Sequence, residues 1–308
     1  MKVFHHWRDV TDGCKGASVA LGNFDGVHRG HQHVIDLARQ HDTPLGIVTF
    51  EPHPREFFAP DAPPFRLMNS ATRAHRLDWL GVGYVYELPF TAELAGLSAE
   101  AFARDVLADG LGVRHVVVGA DFCFGKGRSG TAQDLAALGQ TLGFEVTIAP
   151  LLSEGAQVFS STAIRQALTE GRPRDAAAML GHWHRIDGPV LHGEKRGRQL
   201  GYPTANMSMD RLHLPRLGVY AVLVDVLDGP HQGQYKAVAS LGVRPMFGEN
   251  TPNLESYLFD FEGDLYGAAL SVALVEHLRD EMRFDSLPEL IAQMDADSAQ
   301  ARDVLARL

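Results

Sequence analysis

The chain changes its hydrophobic period halfway along, and that change decides what it can fold into. Between residues 18 and about 150, short apolar runs at 18–21, 45–50, 84–88, 115–119 and 145–148 alternate with helical patterns near 31–40, 72–80, 99–107 and 131–142. Strand then helix, repeated, builds parallel βαβ units, which predicts a doubly wound α/β sheet with ligands beyond the carboxyl ends of its strands. Two further helices, over 162–170 and 173–180, end at Gly181. From about Trp183 the period falls to 2, in Val-rich runs over 218–226, 236–241, 254–261 and 270–278 separated by Gly, Pro and Asp turns. That pattern predicts an antiparallel β-barrel or sandwich. A terminal helix over 287–308, with Ser286 as N-cap and Pro288 in its first turn, closes the chain. The expected domains are 1–181 and 182–308.

Composition limits the functions open to such a chain. Its 308 residues, 45% hydrophobic and 21% charged, suit two ordered domains. No apolar run approaches the roughly 18 residues that span a bilayer, and residues 1–10 lack an apolar signal core, so no membrane partner is expected. With only Cys14 and Cys123, a disulfide scaffold is not expected and a reducing cytoplasm is. A net charge of −10 argues against a nucleic-acid surface, which needs a broad excess of cations. Anionic ligands must therefore meet local clusters, and two of the five lysines, Lys126 and Lys195, lie in Gly-rich basic stretches.

The sharpest motif is Gly22-Asn23-Phe24-Asp25-Gly26-Val27-His28-Arg29-Gly30-His31, which leaves a strand and opens a helix. Its glycines let backbone approach a bulky anion, and a helix start offers unpaired N–H groups and partial positive charge. His28 and His31 add donors. A metal pair is the rival reading, but no third ligand stands at a convincing distance. Ser160-Ser161-Thr162-Ala163-Ile164-Arg165 opens another helix, with Ser161 or Thr162 as expected N-cap and Arg165 in the first turn. Cap and anion site are compatible there. Gly125-Lys126-Gly127-Arg128-Ser129-Gly130 satisfies G-x-G-x-x-G, yet it lies beyond the fourth βα strand rather than in a tight first turn, so dinucleotide binding is not expected.

The second cluster is Gly193-Glu194-Lys195-Arg196-Gly197-Arg198-Gln199-Leu200-Gly201-Tyr202-Pro203-Thr204-Ala205-Asn206. A basic Gly-rich loop leads directly into two neutral oxygen donors, Thr204 and Asn206. Such hard donors suit Mg²⁺ shared with nucleotide phosphates, although a plain turn would explain Pro-Thr-Ala-Asn taken alone.

These motifs resemble the bacterial bifunctional riboflavin kinase/FAD synthetases. The first decad is similar to the H-x-G-H signature of nucleotidylyltransferases, Ser160 to Arg165 to the family's Ser-Ser-Thr-x-Ile-Arg element, and Gly193 to Asn206 to the riboflavin kinase signature. Thr49-Phe50-Glu51-Pro52-His53-Pro54-Arg55, the run from Val118 to Arg128, Ser240 to Phe247, Leu254 to Phe261, Asp264 to Gly267 and Leu278-Arg279 follow in the family's order. The resemblance implies an N-terminal nucleotidylyltransferase domain that adenylylates FMN to FAD with release of pyrophosphate, and a C-terminal barrel that phosphorylates riboflavin with ATP. ATP and phosphates would meet Gly22, Asn23, Phe24, Asp25, Gly30, Ser161, Thr162, Gly193, Lys195, Arg196, Gly197, Arg198 and Gly201. His28, His31 and Arg165 would stabilise the leaving pyrophosphate, and Glu255 would be the kinase's general base. Flavin contacts would fall on His53, Pro54, Phe58, Asp121, Arg128 and Arg279, and Mg²⁺ on Thr204 and Asn206. Ser240, Leu241, Met246 and Tyr257 depart from the family's commoner residues, which puts individual flavin contacts in question. A nucleotidylyltransferase for another phosphorylated small molecule, or a non-catalytic flavin sensor, are the alternatives. The second-half motifs speak against the first, and the presence of His28, Asn206 and Glu255 against the second. Whether the chain forms a homo-oligomer is left open.

Overall fold

The computed structural model describes residues 1–150, 152–154, 157–192, 202–209, 211–246 and 249–308. The chain divides into two compact units: Met1–Pro63 with Arg73–Phe159, and Pro64–Thr72 with Ser160–Leu308.

The first unit is built on a parallel sheet of β1 (Lys2–Phe4), β2 (Ser18–Leu21), β3 (Leu45–Glu51), β4 (Tyr84–Pro89), β5 (His115–Gly119) and the later strand Glu145–Ala149, in the order β1-β4-β3-β2-β5 and then that last strand. Every pairing in it is parallel, as βαβ connections require. The inner strands β2 to β5 are buried along nearly their whole length, β2 at every residue, because helices cover both faces. The connecting helices include α1 (Arg29–Arg39), α2 (Pro54–Phe58), α3 (Ser70–Trp79, whose first residues count with the second unit), α4 (Ala92–Gly96) and α5 (Ala99–Ala101). Edge strand β1 escapes sequence reading because three residues carry no period.

The helix expected over 99–107 differs: α5 passes into a π-helix, Phe102–Gly110. Val106 and Leu111 are both buried five residues apart, wider than an α-helix keeps on one face, and Leu111 N–H donates to Val106 O. The string from Gly125 to Gly130 is the turn of a small hairpin, β6 (Cys123–Phe124) with β7 (Gly130–Thr131), followed by α6 (Ala132–Leu142) and then β8, the Glu145–Ala149 strand. A Cβ at Gly125 or Gly130 would stand 2.7 Å from Ala99, so close packing accounts for these two glycines.

Two polar networks lie inside this unit. Arg73, 1% exposed, donates to Glu51 (2.9 Å) and Glu87 (2.6 Å), tying α3 to the ends of β3 and β4. His115 lies between Ser18 Oγ (2.8 Å) and Thr147 Oγ1 (2.9 Å), its ring stacked 3.6 Å from His41. Since the Ser18 hydroxyl donates to Ala38 O (2.8 Å), His115 Nδ1–H donates to Ser18 and Nε2 accepts from Thr147. Ser18 is thus committed to structure.

After a short hairpin of β9 (Ser153–Glu154) and β10 (Gln157–Val158), the second unit begins with α7 (Ser161–Thr169) and α8 (Pro173–Leu180). Its sheet has the order β11-β16-β13-β14-β15-β12: β11 (His184–Pro189), β12 (Ala205–Ser208), β13 (Gly218–Val226), β14 (Gly233–Met246), β15 (Glu249–Leu258) and β16 (Ala269–Arg279), all antiparallel. A bridge from Leu191 N–H to Asn206 O (2.8 Å) joins the two outermost strands, so the barrel is nearly closed. Period 2 shows along β13: Tyr220, Val222 and Val224 fill the barrel, while Val219 and Ala221 face the terminal helix α9 (Leu287–Leu305) at Ala301 and Leu305. β14 runs past the expected end at residue 241, because the ladder holds register through Gly242 and Pro245 to Met246. β15 ends three residues early, where Asp260 turns left-handed (φ 56°).

Two outcomes follow. Arg73→Met removes the buried guanidinium that Glu51 and Glu87 share and should cost about 3–5 kcal/mol, read as a lower urea midpoint with unchanged slope. Burial, reinforced by His41, lowers His115 to about 4, and burial, reinforced by His213 and His182, lowers His184 to about 3. The unfolded chain alone takes up these protons between pH 6.5 and about 4, so their contribution is complete above pH 6.5 and is lost as pH falls, on the order of 1.4 kcal/mol per unit for each histidine. His115→Asn should remove roughly one proton from the uptake on unfolding at pH 5; an unchanged uptake would show that His115 is charged in the fold.

Candidate active sites

The strand order of the first unit reverses at β2, which has β3 on one side and β5 on the other, and the loop leaving its carboxyl end is the Gly22 to His28 motif. This is where a doubly wound sheet leaves a crevice for ligand. The loop holds three left-handed residues, Phe24 (φ 52°), Gly26 (φ 89°) and Val27 (φ 44°), and Phe24 and Val27 are fully buried. A β-branched residue in that region is strained, of order 1–3 kcal/mol, and persists only where its surroundings enforce it. Gly22 N–H donates to Val48 O and Asn23 O accepts from Thr49 Oγ1, pinning the loop to β3. Asp25 is buried within it.

His28 is the N-cap of α1: its Nδ1 accepts the N–H of His31 (3.3 Å), placing the neutral ring's proton on Nε2. The His28 and His31 rings stack at 3.7 Å, and Phe24 packs against His31 at 5.2 Å. Burial first, then the neighbouring His28, holds the His31 pKa well below the usual histidine value. Its Nδ1 is buried without a hydrogen-bond partner among the described residues, a state a ligand atom would relieve. At Gly30 a Cβ would press on the His28 ring at 3.1 Å, so glycine there permits the stack.

At the end of β3, His53 caps α2 in a capping box, accepting from Arg55 N–H while Glu56 accepts from His53 N–H, with Pro54 in the first turn. Phe57, Phe58 and Phe90 meet edge to face at 5.2–5.7 Å, and Phe58 remains 69% exposed, so it is not a core residue. Asp121 and Arg128 are exposed beyond β5, Arg128 in left-handed backbone (φ 59°).

In the second unit the cap of α7 is Ser160, whose Oγ accepts Ala163 N–H (3.2 Å), not Ser161 or Thr162 as expected. All three hydroxyls could cap, and the chain turns one residue earlier. Ser161 and Thr162 thereby become the first two helical residues, where backbone N–H groups lack helical partners. Arg165 donates to Phe65 O (3.4 Å) and lies over the Phe65 ring (5.7 Å).

Gly193, Lys195, Arg196, Gly197, Arg198 and Gly201 lie outside the described residues. Thr204 and Asn206 follow. Asn206 Nδ2 donates to Thr204 O (3.3 Å) and Oγ1 (3.4 Å), which leaves Oδ1 as the amide's ligand atom. Asn206 pairs in register with Glu255, itself opposite Ser240, so three adjacent strands carry one row. Glu255 Oε1 accepts from Asn253 Nδ2 (3.0 Å), and Asn253 is buried. Sequence reasoning missed Asn253, although its i, i+2 spacing to Glu255 puts both on one face of a strand. Arg279 is gripped by Asp297 of α9 through Nε (2.9 Å) and Nη2 (2.7 Å), with Nη1 on Asp280 O. Among the described residues no group of three His, Cys, Asp or Glu could hold a metal. A hard cation here would depend on neutral oxygens and its own nucleotide, and the Thr204 and Asn206 donor set fits that demand.

Residues 11–163 match the FAD synthetase family and residues 180–305 the riboflavin kinase family. A bifunctional riboflavin kinase/FMN adenylyltransferase of Pseudomonas fluorescens is 43% identical over 99% of this chain and 97% of its own length. The protein of the same description in Escherichia coli (strain K12) is 40% identical over 94% and 93%. A crystal structure from Streptococcus pneumoniae, described as a macrolide-efflux protein, superposes with a TM-score of 0.81 at 33% identity, covering 96% of each chain. Among the described residues here, no helix is long and apolar enough to cross a membrane. Both halves are matched in order and at this identity over nearly the full length, so the chain belongs to the bifunctional riboflavin kinase/FMN adenylyltransferase family.

Proposed function

We infer that this chain makes FAD from riboflavin in two steps, phosphorylating riboflavin to FMN with ATP and then adenylylating FMN with a second ATP. The observation that supports the pair of reactions best is that two different sites occupy the two units: a strained loop and helix start at a sheet switch point, and an Asn206–Glu255 row on a barrel.

In the kinase step the ribityl 5′-hydroxyl oxygen attacks the γ-phosphorus of ATP. A new P–O bond forms, the bond to the β-phosphate oxygen breaks, and ADP leaves. Glu255, held by Asn253, takes the hydroxyl proton. Thr204 and Asn206 would hold Mg²⁺, which when bound neutralises phosphate charge. The basic run Lys195, Arg196 and Arg198, with Gly193, Gly197 and Gly201, is proposed for the phosphates on its sequence. Arg279, held by Asp297 of α9, is proposed as a flavin contact on the resemblance of its motif.

In the transferase step an FMN phosphate oxygen attacks the α-phosphorus of ATP and pyrophosphate leaves. No protein nucleophile is required, since the acceptor already carries an anionic oxygen. His31 enters as a neutral donor, because burial keeps it uncharged at working pH, and His28 serves beside it. Backbone of Gly22, Asn23, Phe24, Asp25 and Gly30 would approach the nucleotide. Ser161, Thr162 and Arg165 are proposed as phosphate donors, and His53, Pro54, Phe58, Asp121 and Arg128 as flavin contacts, on the resemblance of their motifs. The scarcity of cysteine favours a cytoplasmic setting.

A chromatographic time course of riboflavin, FMN and FAD tests this. With riboflavin, ATP and Mg²⁺, FMN should rise first and FAD follow. Glu255→Gln should lower FMN formation by about 10²–10⁴-fold and leave FMN-to-FAD conversion intact. His31→Ala should do the reverse, losing about a hundredfold in FAD formation, on the order of 3 kcal/mol. One substitution silencing both reactions in a folded protein would overturn the two-site division.

A further inference from the structure

The hydrogen-bond ladder holds the Pro-Thr-Ala-Asn segment only from Ala205, where β12 begins. Thr204 precedes the strand, and Pro203 has no N–H with which to join a ladder. What stands on the other side is Tyr202. Its hydroxyl donates to Asp295 of α9, and its ring meets Tyr257 edge to face at 4.8 Å. Tyr257 lies two residues beyond Glu255 on β15, so both side chains share one face of the strand. α9 is a firm support for such a contact. Asp297 grips Arg279 at the end of β16, Arg302 pairs with Asp260 through two bonds of 2.9 Å, and Lys236 Nζ donates to Leu305 O (2.8 Å).

We propose that the Tyr202–Asp295 hydrogen bond is a positioning clamp for the kinase site, fixing the Thr204 hydroxyl relative to Asn206 and Glu255 and making the terminal helix part of the machinery for ATP and Mg²⁺. The strand gives Asn206 its register opposite Glu255, whereas Thr204 takes its place from the clamp on one side and the Asn206 amide on the other. Tyr202 and Asp295 touch no reacting atom. Their effect passes through Thr204.

This inference rests on the kinase reading of Thr204, Asn206 and Glu255, and its test separates the two. In the full chain, Tyr202→Phe keeps the ring on Tyr257 and removes only the hydroxyl, Asp295→Ala removes the acceptor, and Asp295→Asn keeps an amide oxygen that can accept. Kinase kcat, KM for ATP and the Mg²⁺ concentration at half-maximal rate are measured, with FMN adenylylation as internal control. Tyr202→Phe and Asp295→Ala should each raise the half-maximal Mg²⁺ and KM for ATP by about tenfold, with adenylylation unchanged and Asp295→Asn near the parent. Parent-like kinase constants in both, or equal loss of the two activities, would overturn the clamp. If Glu255→Gln kept full kinase activity, the site reading itself would fall. If Glu255→Gln were silent while Tyr202→Phe behaved as the parent, the clamp alone would fall.

Discussion

Among the described residues, the backbone hydrogen bond from Leu191 N–H to Asn206 O draws the outermost strands of the second unit into a nearly closed barrel. An open antiparallel sheet leaves a row of unpaired donors and acceptors at each edge, and closure removes that liability. The closing residue is also a proposed site residue. Asn206 gives its carbonyl to the seam, its amide nitrogen to Thr204 and its register to Glu255. A site placed on the seam is as rigid as the barrel that the seam completes, and catalysis by positioning requires that rigidity.

The first unit meets the same requirement by a different route. Its sheet cannot close, and parallel strands buried on both faces offer a ligand only their ends. At the switch point the chain must leave β2, turn sharply and start α1 with its N–H groups directed outward. Left-handed Phe24 and Val27 are the conformational cost of that turn, and their complete burial is what enforces it. His28 then caps the helix with one ring nitrogen and supports His31 with its face. A capping residue is thus the stacking partner of a half-buried histidine, so the local stability of α1 and the geometry of the proposed site are the same interaction.

Much of this was legible in the sequence, because it is carried by period and by short motifs. The switch from helical to strand period separates the α/β sheet from the barrel, and the Gly22 to His31 run announces a strand-to-helix turn. What escaped reading depends on choices made in three dimensions. Ser160, Ser161 and Thr162 are equivalent caps on paper, and only the path of the entering chain selects Ser160. The π-helix reflects which residues the core accepts, not the propensity of residues 102–110. Gly242 and Pro245 look like a strand end, but the register with β15 carries the ladder past them. The Tyr202–Asp295 contact joins residues 93 apart, and no spacing rule connects them.

Charge explains how a chain with a net charge of −10 can handle ATP and a phosphorylated flavin. Distributed negative charge disfavours nonspecific binding of anions, so affinity has to come from places where donors converge: helix starts, glycine-rich backbone and a few cations. Several arginines are withdrawn from that role, since Arg73, Arg279 and Arg302 are each committed to carboxylates. They act as struts. Arg73 braces the strand ends beside the His53 turn, and Arg279 and Arg302 fix α9 to the barrel. The same guanidinium geometry that suits phosphate also suits a carboxylate, and burial beside one decides which it serves.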